Sequence, residues 1–150
     1  HKGSKLHEAV LASFGFVKYF EAQSSDIALV NFSDKNKIES WTKEYDKIKK
    51  LLLFSSGGGT TFPIESLNDL VEEKRENLVI VILTDGELSN WEQSFKLFKQ
   101  LLLYNNKIFL FIMGETSEAE KYKDLRQYGG FVGAARTQEQ IRSIVFSEIL

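Results

Sequence analysis

The run Leu78-Val79-Ile80-Val81-Ile82-Leu83, closed by Thr84-Asp85-Gly86-Glu87, constrains this chain more than any other stretch. Such a run is far short of the roughly 20 apolar residues that span a membrane, and it leaves no polar stripe for a surface helix. It reads as a strand covered on both faces, the pattern of parallel sheets in α/β proteins. Asp85 then falls where the carboxyl end of the strand opens into a loop, the rim at which open α/β sheets bind ligands. A second loop, Ser55-Ser56-Gly57-Gly58-Gly59-Thr60-Thr61, offers bare backbone and hydroxyls ahead of another helix.

Around these two loops the periodicity alternates between helix and strand, with no linker and no repeat. Leu6, Val10, Phe14, Val17 and Phe20 recur at spacings of three and four, which predicts an amphipathic helix from Lys5 to about Glu21. Asp26 to Phe32 reads as a strand, followed by an extended piece near Lys37 to Trp41 and a Lys-rich helix from Glu44 to Phe54. A helix from Ile64 to Glu73 precedes the Leu78 strand. Trp91, Phe95, Phe98 and Leu102 mark one face of the next helix, which ends near Tyr104 before the turn signal Asn105-Asn106. Lys107 to Met113 is a second apolar strand. A helix from Ser117 to Tyr128 stops at Gly129-Gly130, a C-cap signal, and Phe131-Val132 is a short edge strand. Thr137 and Gln140 resemble a capping box at the start of the last helix. Helices of this length between strands imply right-handed crossovers and a mostly parallel sheet. The expected architecture is a doubly wound α/β/α sandwich in a single domain over residues 1–150.

Composition excludes several functions. A net charge of −2 from 19 basic and 21 acidic residues provides no electrostatic footprint for direct nucleic-acid binding. With no cysteine there is neither a disulfide nor a thiolate metal site, which suits a cytoplasmic protein. No apolar run reaches about 18 residues, so no membrane interaction is expected. The first residue is His1 rather than Met, so the true N-terminus is expected to lie upstream.

The pair GGGTT–helix and apolar strand–TDGE, in this order, resembles the von Willebrand factor A domain family. The resemblance covers essentially all 150 residues, from the first helix onward. It implies a protein-interaction domain in which three loops build a metal-ion-dependent adhesion site holding Mg²⁺ or Mn²⁺. The positions that match are Thr60 in the glycine loop and Asp85 in the TDGE loop. The family's first motif, a strand ending in Asp-x-Ser-x-Ser, is absent from these residues; in the family it supplies an Asp and two Ser, and its strand lies centrally between those at Asp26 and Leu78. An empty slot there would leave roughly ten buried backbone groups unpaired at about 1–3 kcal/mol each, as much as a domain's whole stability of ~5–15 kcal/mol. A strand from outside these residues is therefore expected to fill it. The resemblance further implies a protein partner that completes the ion's shell with an Asp or Glu; intracellular relatives work beside AAA+ ATPases or in multiprotein complexes.

The residue chemistry suits that ion. Mg²⁺ takes oxygen ligands at about 2.0–2.1 Å and retains several waters. Thr60 can supply a hydroxyl, with Thr61 as its substitute, and Asp85 can bind the ion or one of its waters. Gly57 to Gly59 let backbone approach closely. Glu87 reads as a solvated carboxylate, Ser55 and Ser56 as loop caps, and His1 and His7 as solvent-exposed. Phe95, Phe98, Phe109 and Phe111 read as core, and Trp41 and Trp91 as covers for sheet edges. The rival non-enzymatic reading is a metal-free scaffold that binds partners through the same rim or through its helices. Enzyme chemistry finds less support. GGGTT lacks the lysine of a phosphate-binding P-loop, Glu87 stands where a strand-end Asp phosphatase needs its second Asp, and two His without Cys supply no nucleophile–base set.

Overall fold

A computed structural model of the chain describes residues 4–30, 38–53, 61–73, 76–84, 88–114 and 119–149. It is mixed α/β. The helices are α1 (Lys5–Ala22), α2 (Tyr45–Leu53), α3 (Ile64–Glu73), α4 (Trp91–Leu102) and α5 (Gln138–Ile149), with a 3₁₀ helix at Glu120–Tyr128. The strands are β1 (Ile27–Val30), β2 (Ile38–Thr42), β3 (Val79–Thr84), β4 (Lys107–Met113) and β5 (Phe131–Ala135). Among the described residues they form an antiparallel β1–β2 pair and a parallel β3–β4–β5 sheet. The chain groups into two compact units, His1–Gly59 with Thr137–Leu150, and Thr60–Arg136.

In the first unit α1 is anchored by Ser4, whose side chain accepts a hydrogen bond from the His7 backbone at 3.1 Å. Its buried face is Ala12, Phe16 and Val17. Leu6, which the apolar spacing places on that face, is instead 42% exposed, in the first turn of the helix. His7 is half-buried rather than solvated. Val17 meets Ile48 and Leu52 of α2 in a core completed by Val10, Phe14, Ile27, Leu29 and Tyr45. The Tyr45 hydroxyl donates to the Ser25 carbonyl at 2.7 Å. Burial, with Asp26 and Glu21 nearby, holds its pKa above the usual 10.0. Gly15 lets α1 pass close to α5: a Cβ there would run into Arg142 Cδ. Phe16 and Tyr19 pack on Phe146 at centroid distances of 5.6 and 4.9 Å. The Glu8 carboxylate accepts from the Gln138 backbone at 3.3 Å, which places an anion on the N-terminus of α5.

The second unit holds the parallel sheet. β4 is its centre, and every residue from Ile108 to Met113 is buried, so both faces are covered. The sequence reads β3, too, as covered on both faces. Among the described residues it pairs on one side only, and Val79 to Val81 and Leu83 are half-buried. Its apolar composition matches that of β4, but a central strand gains burial from two neighbours where an edge strand has one. Asn106 joins the helix layer to the sheet: its side chain donates to the Leu101 carbonyl and accepts from the Leu78 backbone, both at 2.9 Å. A turn signal therefore supplies a buried polar bridge. No helix among the described residues is long and apolar enough to cross a membrane.

Candidate functional site

β3 ends at buried Thr84, so Asp85 is the next residue along the chain from the carboxyl end of the strand. Asp85, Gly86 and Glu87 lie outside the described residues, and so do residues 54–60, which include Thr60, Ser55, Ser56 and the three glycines. His1 is outside them as well. The segments that leave these two loops are described, and they meet.

Thr61 follows the glycine loop, and its hydroxyl lies 3.1 Å from the Ser89 hydroxyl. One residue further on, the Asn90 amide forms a two-way clasp with Phe62. Its Oδ1 accepts from the Phe62 backbone N–H at 2.8 Å, and its Nδ2 donates to the Phe62 carbonyl at 2.9 Å. Asn90 stands at the N-cap of α4, where a side-chain oxygen ordinarily takes a backbone N–H of the first turn. It makes no such bond; its amide is turned to the other loop. Its carbonyl instead accepts from the backbone and hydroxyl of Ser94, both at 3.0 Å. The Leu88 N–H, nearest to Glu87, donates to the Tyr122 hydroxyl at 3.1 Å. The tail of the TDGE loop is thus tied to the glycine-loop tail, to α4 and to the 3₁₀ helix.

Aromatic side chains form the floor beneath these ties. Phe62 meets Phe98 edge-on at 5.0 Å, and Trp91 contacts Tyr122 at 4.7 Å, Phe95 at 5.3 Å and Phe98 at 6.0 Å. Phe98, Phe109 and Phe111 are buried as the sequence predicts, whereas Phe95 is half-buried. Trp91 is a half-buried member of this cluster rather than a lid on a sheet edge. Trp41 lies half-buried on β2, an edge strand of the antiparallel pair.

Among the described residues there is no group of three His, Cys, Asp or Glu arranged to hold a metal ion. Among the described residues, the side-chain oxygens in these contacts are the Thr61, Ser89 and Tyr122 hydroxyls and the Asn90 amide oxygen, all neutral. Sequence reasoning missed Asn90, Ser89 and Tyr122. The Ser-Asn pair before the Trp91 periodicity signals a helix start, but nothing local reveals that the amide faces a partner 28 residues away. No protein-family model, curated protein or solved structure matches the chain.

Proposed function

We propose that this chain is a von Willebrand factor A-like protein-interaction domain, not an enzyme, which binds a carboxylate of a partner protein through Mg²⁺ or Mn²⁺ held by Thr60 and Asp85. On this reading the fold is a doubly wound sandwich that acts in the cytoplasm, with an AAA+ ATPase or a multiprotein complex as the setting of its partner. The observation that carries the proposal is the Phe62–Asn90 clasp with its neighbouring Thr61–Ser89 contact. Two loops that read separately as a hydroxyl donor and an acid donor have exits held within hydrogen-bonding distance. A shared oxygen-rich nook needs that convergence.

The donor chemistry fits the ion. Mg²⁺ prefers hard oxygen ligands and is commonly held by one or two carboxylates with waters filling the remaining positions. One carboxylate and neutral hydroxyls would leave it electrophilic toward an incoming Asp or Glu. The ion would supply the attraction; Asp85 and Thr60 would orient it, and the clasp would hold their loops in register.

Calorimetric titration of Mg²⁺ into the wild-type chain and into Asp85→Ala and Thr60→Ala tests this. Saturable binding by the wild type is expected, weakened about tenfold or more (≥ ~1.4 kcal/mol) by Asp85→Ala, with unchanged thermal melting. Equal ion affinity in wild type and Asp85→Ala would sink the metal reading. A partner whose binding survives EDTA would identify a metal-free scaffold instead.

A further inference from the structure

At the opposite end of the parallel sheet from that rim, the last turn of α4 and the end of the 3₁₀ helix enclose a shallow groove of about 380 Å³, lined by Lys96, Lys99, Gln100, Leu103 and Tyr128. Two of these side chains are bare for their type: Leu103 is 81% exposed and Tyr128 49%. Apolar side chains concentrated at one spot mark interaction sites more often than scattered ones do. The groove also has a sign. From Gln93 to Gly114 the chain carries three lysines and no acidic residue. Among the described residues neither Lys96 nor Lys99 has a carboxylate within ion-pair distance, and Asp124, the acid before Tyr128, pairs with neither. Lys99 Nζ instead lies over two rings, 4.9 Å from the centre of Phe95 and 5.4 Å from that of Tyr128. Those contacts hold the ammonium at the groove while leaving its charge uncompensated.

We propose that this groove docks a short acidic segment of a partner protein, with an apolar side chain on Leu103 and Tyr128 and carboxylates on Lys96 and Lys99. The spacing defines the ligand. Lys99 and Lys96 stand one and two helical turns before Leu103, about 6 and 10 Å along the axis. An extended peptide covers those distances in about two and three residues. The matching segment therefore carries a Leu or Phe with Asp or Glu within the next two to four positions, the alternate side chains facing the groove. A lipid surface fits less well, because membrane-binding patches muster about 4–8 clustered cations, more than this groove offers. The proposal is independent of the ion site.

The test is fluorescence anisotropy with a fluorescein-labelled twelve-residue peptide in which Glu and Asp pairs alternate with Leu and Phe, run in EDTA so that a divalent-ion site is silent. Saturable binding is expected, absent for the same peptide with Lys replacing every acid. Lys96→Glu with Lys99→Glu, and separately Leu103→Ser, should each weaken it about tenfold (~1.4 kcal/mol) while thermal melting shows the fold retained. No saturable binding, equal binding of the Lys peptide, or variants that bind as the wild type would each overturn the proposal. So would binding to phosphatidylserine vesicles that the acidic peptide does not displace.

Discussion

Asn90 shows how much a single amide can decide. By facing Phe62 instead of capping α4 it forgoes a helix-capping bond of about 1 kcal/mol and gains two bonds across the loop exits. Phe62 is only 4% exposed, so water cannot readily replace a lost partner. Asn90→Ala should therefore destabilise the chain by about 1–3 kcal/mol, the cost of stranding a buried backbone group, as read from urea unfolding. Asn90→Asp retains the acceptor for the Phe62 N–H but loses the donor to its carbonyl, and should fall between the two. No loss in the alanine variant would mean that the clasp contributes nothing to holding the loops. At this scale the sequence is least legible. Ser89-Asn90 signals a helix start and Asn105-Asn106 a turn, yet both asparagines at the second position serve as bridges, to Phe62 and to Leu78 with Leu101. The partners come from distant chain segments, which only the folded backbone brings together.

Elements are far easier to read, because each is set by local chemistry. The helix predicted over Ile64 to Glu73 and the strand over Lys107 to Met113 match the observed bounds. Gly129 ends the 3₁₀ helix in the left-handed region at φ 94°, its N–H bonded back to Arg126 and Leu125, as a C-cap glycine does. The helix expected from Ser117 to Tyr128 takes 3₁₀ form over Glu120–Tyr128. Its packed side chains Tyr122 and Leu125 stand three residues apart, with Tyr128 three further on against Phe95 at 5.8 Å, a period that suits three residues per turn. The capping box at α5 forms in both directions: the Gln140 N–H donates to Thr137 Oγ1, and the Thr137 N–H to Gln140 Oε1, each at 3.3 Å. Thr137→Ala should cost about 1 kcal/mol of stability in chemical denaturation, with Thr137→Ser restoring most of it. An alanine variant as stable as the wild type would show that the Glu8 carboxylate alone suffices to hold that helix end.

For the whole molecule, hydrophobic pattern foretold an α/β chain with a parallel sheet, which the β3–β4–β5 ladder bears out. It did not foretell the antiparallel β1–β2 pair, whose register breaks between Ile27 and Leu29. Pairing direction is set by the connection between strands, and the strand pattern alone carries no record of it. Nor did it distinguish β4, paired on both sides, from β3, paired on one side among the described residues, since the two are equally apolar in sequence. That distinction has a kinetic side. Phe109 to Ile112 of β4 have a partner strand on either flank, so solvent protons reach the centre of this strand only when the ladder itself comes apart. In a deuterium-labelling time course, peptides from this strand should gain mass last, at the rate of global opening, long after those from half-buried β1. Early labelling there would reveal a breathing sheet, one that could admit or release a neighbour without unfolding.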